Sequence, residues 1–292
     1  MTQEICISSL VDLGFTQLEA EIYTLLTQES PATGYRIAQG IGKPAANVYK
    51  AIQTLEKKGA ILVDESTNRL CRAVPFNELL NQMQRQFAEK KKRAETALAN
   101  LANTQNDDRI YQLRSCEQVL ERCRQMLQDA REIIVIDAFP NVLALLNKEI
   151  AKAAQRKVTV AVAAYQPTEL NQAILFQRPD GQEIIQRWPG EWINLVIDGD
   201  EYLIALLDKE LKKVIQAVWS SSPYLSWVYY SAVMAELKLG ELEKQILDDR
   251  ISKNELIELL DRFDKIFPLE AAGYKKLMQR FKQTNFVEEN KS

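Results

Sequence analysis

The chain is 292 residues long, which favours two or more domains, and its 46% hydrophobic and 26% charged residues are ordinary for a globular protein. A net charge of −3 argues against a generally basic nucleic-acid coat, and the absence of any histidine excludes Ser-His-Asp and Cys-His catalysis and argues against a zinc site. The expectation is a non-enzyme without cofactor or metal. No apolar run reaches the roughly 18 residues that suggest a membrane span. The opening MTQEICISSL lacks a basic region followed by a long apolar stretch, so a cytoplasmic protein with no membrane partner is expected.

In chain order, residues 3 to 13 are predicted to form a short helix ending at Gly14. Thr16 and Glu19 then have capping-box spacing ahead of a helix whose Leu18, Ile22, Leu25 and Leu26 form a stripe for burial, with Ser30 and Pro31 interrupting it. TGYRIAQGIGKPAANVYKAIQTLEKK, from Thr33 to Lys58, has the pattern of a helix-turn-helix. Thr33 suits an N-cap, Gly40 a helix end, and Gly42, Lys43 and Pro44 a turn. In the second helix Val48, Ile52 and Leu55 fall at i, i+4 and i+7 and face a core. The opposite face carries Ala46, Asn47, Tyr49, Lys50, Gln53 and Lys57. Asparagine and glutamine pair with adenine edges, while lysines and a tyrosine hydroxyl reach phosphates. Any two amphipathic helices joined at a glycine give a similar string, so the charge around it matters. Residues 1 to 76 carry seven basic and eight acidic side chains, yet between Gly34 and Lys58 the basic Arg36, Lys43, Lys50, Lys57 and Lys58 face only Glu56.

Gly59 ends that helix, and Ile61 to Asp64 and Arg69 to Val74 are strand candidates around a turn at Glu65 to Asn68. Helices followed by a hairpin are the order of a winged helix, with Arg69 near the hairpin tip able to reach the backbone or minor groove, or simply to be solvated. The runs LGFTQLEAEIYTLL and PATGYRIAQGIGKPAANVYKAIQTLEKKGAI together resemble the winged-helix domain of the TrmB-like transcriptional regulators, over residues 10 to 76. The resemblance implies that the helix from Pro44 to Lys58 reads DNA. One departure is that Pro44-Ala45-Ala46-Asn47 offers small residues where relatives often have arginine or serine. Base contacts are therefore expected from Asn47, Tyr49 and Gln53, and phosphate contacts from Arg36, Lys43, Lys50, Lys57, Lys58 and Arg69.

Asn77 to about Thr104 reads as one polar helix with Leu80, Met83, Phe87, Ala94 and Leu101 at a and d positions and Lys90 breaking the series. The expected outcome is a two-stranded coiled coil that makes a homodimer, although a helix packing only on its own chain gives the same pattern. From Arg109 strands and helices alternate. Strand candidates are Arg109 to Leu113, Ile133 to Asp137, Val158 to Ala164, Ile193 to Asp198, Tyr202 to Leu207 and Val214 to Trp219, with helices at Cys116 to Asp129 and Val142 to Arg156. Apolar runs such as IIVIDAF suit strands buried on both faces, and hence an α/β sheet. Cys116 and Cys123, seven apart, share one helix face as small core residues.

This region, closing with QAVWSSSPYLSWVYYSAVMAEL, resembles the phospholipase D-like domain at the C-terminus of TrmB-like regulators. Active phospholipase D-like members need a histidine, a lysine two residues on and an aspartate five further; here Glu191, Ile193 and Asp198 stand in those places, so a covalent phosphoenzyme cannot form by that route. Asp198-Gly199-Asp200 reads as a hairpin turn. Asp137, Tyr165, Asp198 and Trp219 are candidates for a small-molecule effector pocket at strand ends, each also explicable as structural. From Leu242 the chain is helical again, with a capping box at Ser252 and Glu255 before Leu256, Leu259, Leu260, Phe263 and Phe267, then Pro268 and a last helix with Tyr274, Leu277, Met278 and Phe281.

The expected fold is therefore α+β and multidomain: a winged helix at 1–76, a linker helix at 77–105, an α/β phospholipase D-like domain at 106–240 and a helical extension at 241–292. The expected function is that of a homodimeric, sequence-specific regulator bound to double-stranded DNA. A phospholipase D-like phosphodiesterase and a winged-helix module that binds only protein are the alternatives.

Overall fold

The computed structural model describes residues 2–64, 69–99, 108–170, 172–247, 252–268 and 270–289, with only the backbone for Thr2, Ala99, Leu247 and 282–289. The expected turn at Glu65 to Asn68, Leu101 of the heptad series and the linker's end at 105 lie outside the described residues. The chain divides into two compact units, 1–103 and 104–292.

In the first unit α1 (Thr2–Asp12) packs on α2 (Gln17–Gln28). The start of α2 is held by the capping box: the Glu19 N–H donates to the Thr16 hydroxyl at 3.2 Å and the Thr16 N–H to the Glu19 carboxylate at 2.7 Å. A two-residue strand, β1 (Ala32–Thr33), leads into α3 (Gly34–Ile41), α4 (Ala45–Lys57), β2 (Ile61–Val63) and β3 (Leu70–Ala73). The strands form a small antiparallel sheet in the order β1-β3-β2. Ile22, Leu26, Ile37, Val48, Ile52, Leu55 and Ile61 make one core beneath the helices and the sheet.

One local expectation is corrected here. Gly40 does not end α3; it lies inside the helix and packs against Leu25. The stop is Gly42, whose left-handed φ of 64° lets its own N–H reach the Gln39 carbonyl and the Lys43 N–H reach the Ala38 carbonyl. Pro44 ends the turn as the N-cap of α4. β1 was not foreseen, because two residues are too few for a pattern.

A 24-residue helix, α5 (Phe76–Ala99), follows. Leu79 is buried in the unit's core, which ties the helix start to the first unit, while side chains from Gln84 to Leu98 are exposed. α1, α2 and the start of α5 enclose an apolar groove of about 550 Å³ whose walls include Ile5, Leu13, Phe76 and Leu80.

The second unit is built on a seven-stranded sheet. Its elements are β4 (Tyr111–Gln112), α6 (Cys116–Asp129), β5 (Ile133–Ala138), α7 (Pro140–Ala144), α8 (Asn147–Gln155), β6 (Thr159–Ala164), β7 (Ile174–Gln177), α9 (Gly181–Arg187), β8 (Gly190–Ile197), β9 (Glu201–Asp208) and β10 (Val214–Ser220). The strand order is β4-β10-β9-β8-β5-β6-β7, with β5, β6 and β7 parallel and the remaining pairs antiparallel. Alternate residues of β5 feed opposite cores: Ile134 and Ile136 face the layer of α6, α7 and α8, and Ile133 and Val135 face the other side. That other side is covered by α10 (Pro223–Leu247) and α11 (Lys253–Ile266), which contribute Tyr230, Leu237, Leu259 and Phe263. α12 (Ala272–Glu289) packs on α10.

The helix expected from Val142 to Arg156 is two helices, with buried Leu143 and Leu146 on either side of the break at Leu145. β7 and α9 were missed, since their apolar segments are too short to carry a period. The expected boundary at 240/241 falls inside the continuous α10. No helix among the described residues is long and apolar enough to cross a membrane.

Candidate nucleic-acid interface

α4 separates its two faces cleanly. Val48, Ile52 and Leu55 point into the core, and Ala46, Asn47, Tyr49, Lys50, Gln53 and Lys57 are exposed. The ring of Tyr49 lies against Gly34 at the start of α3, and Tyr49, Gln53 and Arg69 line one small cleft between α4 and the strands β2 and β3. Arg69 is exposed and has a φ of 40°, a conformation that non-glycine residues take mainly in turns.

The cations differ in what holds them. Among the described residues Lys50, Lys57 and Arg69 have no ion pair. Arg36 is 3.3 Å from Glu29 and Lys43 is 3.7 Å from Glu21, both pairs partly in solvent and therefore weak. Lys58, expected among the phosphate contacts, is the exception. It donates to Glu19 at 2.7 Å and to the Gly14 carbonyl at 3.1 Å, and sits 4.9 Å from the centre of the Phe15 ring. The end of α4 turns it back toward α2, where the Glu19 side chain is only 4% exposed and would otherwise be a buried, unpaired charge. Glu19 also accepts from the Thr54 hydroxyl at 2.6 Å. Burial alone raises its carboxyl, but the hydrogen bonds from Lys58, Thr54 and the Thr16 N–H, with the Lys58 charge, outweigh burial and hold it at about 2.

In the second unit the four effector candidates do not converge. Asp137 and Tyr165 meet: the Tyr165 hydroxyl donates to Asp137 at 2.6 Å, as do Asn194 Nδ2 at 3.0 Å and Trp192 Nε1 at 3.3 Å. Burial pushes the Asp137 carboxyl up, against the pull of those hydrogen bonds and of Arg178. Burial and the neighbouring Asp137 charge push the Tyr165 phenol up as well. Phe139 packs on Trp192 and Tyr165 at ring separations of 4.2 and 5.0 Å, so the cluster is a satisfied polar centre inside an aromatic shell. Sequence reading missed Trp192 and Asn194; the two-residue alternation along β8 was the available signal.

Asp198 lies elsewhere and has a structural task. Its carboxylate accepts the backbone N–H groups of Arg131, Glu132 and Ile133 at 2.8 to 3.0 Å, pinning the β8–β9 turn to the start of β5. Trp219 belongs to the opposite face of the sheet, where its indole donates to Glu201, Arg122 lies 4.1 Å from its ring centre and Tyr111 lies beside it. Glu191 is buried and accepts from Asn141 at 2.8 Å, and Ile193 is in the core, so a carboxylate and an aliphatic side chain occupy the positions where phospholipase D chemistry needs histidine and lysine.

Comparison with known proteins agrees with the division of the chain. The family described as sugar-specific transcriptional regulator TrmB matches residues 10–77, and the TrmB transcriptional regulator EBD N-terminal subdomain matches residues 109–229. Two TrmB-family descriptions thus match the chain, one within each compact unit. It is 26% identical over 258 residues to the uncharacterized protein YrhO of Bacillus subtilis (strain 168), covering 87% of this chain and 93% of that protein. Among solved structures it is similar to TrmBL2, described as an archaeal chromatin protein with a novel mode of DNA binding, at 17% identity and a TM-score of 0.37 over 82% of this chain and 100% of that one.

Proposed function

We propose that the chain is a sequence-specific DNA-binding transcriptional regulator that works as a homodimer through α5. The first unit acts as a winged helix-turn-helix, with α4 as the recognition helix and the β2–β3 hairpin as the wing. The observation that carries this reading is the unbroken outward face of α4, where Asn47, Tyr49, Lys50, Gln53 and Lys57 stand opposite the residues that build the core. Asn47 and Gln53 have the donor and acceptor pairs that adenine presents in the major groove. Lys50, Lys57 and Arg69 supply charge to phosphates, assisted by Arg36 and Lys43 once DNA competes with the exposed Glu29 and the half-buried Glu21 for them. The second unit is a non-catalytic, phospholipase D-like effector domain, a reading supported by the absence of histidine from the whole chain and by Glu191 and Ile193 at the catalytic places.

Selection of duplexes from a random-sequence pool by the purified chain tests the proposal. Replacing Asn47 or Gln53 by alanine is expected to cost about 1 to 3 kcal/mol and relax sequence choice, whereas alanine at Lys50 weakens all sequences alike and flattens the salt dependence by about one. If the chain has no salt-dependent affinity for any duplex, the first unit is a protein-interaction module instead.

A further inference from the structure

α3 begins with a glycine whose backbone does not require one. Gly34 follows the N-cap Thr33, and its φ is not among the positive values found at Gly14, Gly42, Gly59 and Gly199. A helix gains from alanine over glycine wherever the backbone permits both. What requires glycine here is space. A Cβ built on Gly34 would stand 2.4 Å from Tyr49 Cε1, 2.9 Å from Cζ and 3.0 Å from Cδ1. Gly34 is buried under that ring, while Tyr35 beside it is exposed.

Tyr49 is otherwise 48% exposed on the outer face of α4, and an unsupported tyrosine there would sample several rotamers. The bare Cα of Gly34 gives one side of the ring a seat, and the cleft shared by Gly34, Tyr49, Gln53 and Arg69 joins that seat to the β2–β3 hairpin. The ring is also the movable partner of the contact. An added methyl would therefore shift the Tyr49 side chain sooner than the backbone of α3.

We propose that Gly34 is a positioning residue for DNA recognition: by lacking a side chain it seats the Tyr49 ring between α3 and α4 and so sets which nucleotide the Tyr49 hydroxyl meets. The inference rests on the DNA-binding reading of α4. Gly34 itself touches no DNA in this account; its effect passes entirely through Tyr49.

A double-mutant cycle on the full chain tests this. Wild type, Gly34→Ala, Tyr49→Ala and the double variant are compared for affinity to a duplex selected by the wild type, to single-base variants of that duplex and to an unrelated duplex. Gly34→Ala is expected to lose about fivefold or more of specific affinity and none of the affinity for the unrelated duplex, with its preferences altered at the same base positions as in Tyr49→Ala. In the double variant, where the methyl meets no ring, affinity equals that of Tyr49→Ala alone. Wild-type binding by Gly34→Ala, or losses that add in the double variant, overturns the proposal. A Gly34→Ala chain that loses specific and unrelated duplexes in parallel, with a lowered thermal midpoint that Tyr49→Ala restores, shows a packing role only and also overturns it. A wild type that selects no duplex removes the DNA-binding reading, and the positioning role with it.

Discussion

Three buried or nearly buried carboxylates look alike as letters and differ entirely in what surrounds them. Asp198 holds three backbone N–H groups, Asp137 collects three side-chain donors, and Glu19 joins a helix cap to a cation at the end of α4. Glu19 yields the clearest consequence. Its folded carboxyl is held at about 2 against an ordinary 4.5, so the ionised form is favoured in the folded chain and the contribution is fully present above 4.5. Stability of the first unit is therefore expected to fall as pH drops from about 4.5 to about 2. Glu19→Gln keeps the shape of the capping side chain and removes its charge. It is expected to cost about 2 kcal/mol at pH 7 and to flatten the acid limb, measured as thermal midpoint against pH. An unchanged acid limb would mean that other carboxylates govern it.

At the level of elements, α5 carries an apolar stripe that its own unit covers only at its start. Its first turns are anchored by Leu79, but Phe87 is 70% exposed, and Phe76, Leu80, Met83 and Phe87 form a stripe at coiled-coil spacing that begins in the apolar groove beside α1. A long helix gains most of its stability from packing one face, and in the homodimer proposed above a second copy of α5 supplies that cover. Phe87→Asp is expected to weaken self-association at least about tenfold, read by sedimentation equilibrium, without lowering the stability of the first unit. A wild-type chain that sediments as a monomer at all concentrations would remove the coiled-coil reading of Phe76 to Ala99.

For the molecule as a whole, net charge is a poor guide to partners. The sum is −3, yet five of the six charged side chains from Gly34 to Lys58 are basic. The structure then subtracts from that excess: Lys58 is consumed by Glu19, and Arg36 and Lys43 have carboxylates nearby. Among the described residues that leaves Lys50, Lys57 and Arg69 without a carboxylate partner, and these are the three phosphate contacts counted on the proposed DNA-binding reading. Three contacts per copy, each releasing counterions, predict a slope of log affinity against log salt of about −5 for a dimer and about half that for a single copy. A titration of affinity from low to moderate salt measures it, and a slope near zero would contradict the assignment of all three.

Periodicity and local capping chemistry were sufficient, in the sequence alone, for α6 from Cys116 to Asp129, for the capping boxes at Thr16 and Ser252, for the buried stripe of α4 and for most strands of the sheet. These features depend on residues within a turn or two of one another, which is where sequence patterns act. The fate of Lys58, the seat of Tyr49 on Gly34, the gathering of Trp192 and Asn194 around Asp137 and the separation of Trp219 onto the other face depend on which distant segments meet. Only packing decides that, because a charge or a ring is directed by the partner that satisfies it, and in each of these cases the partner comes from another part of the fold.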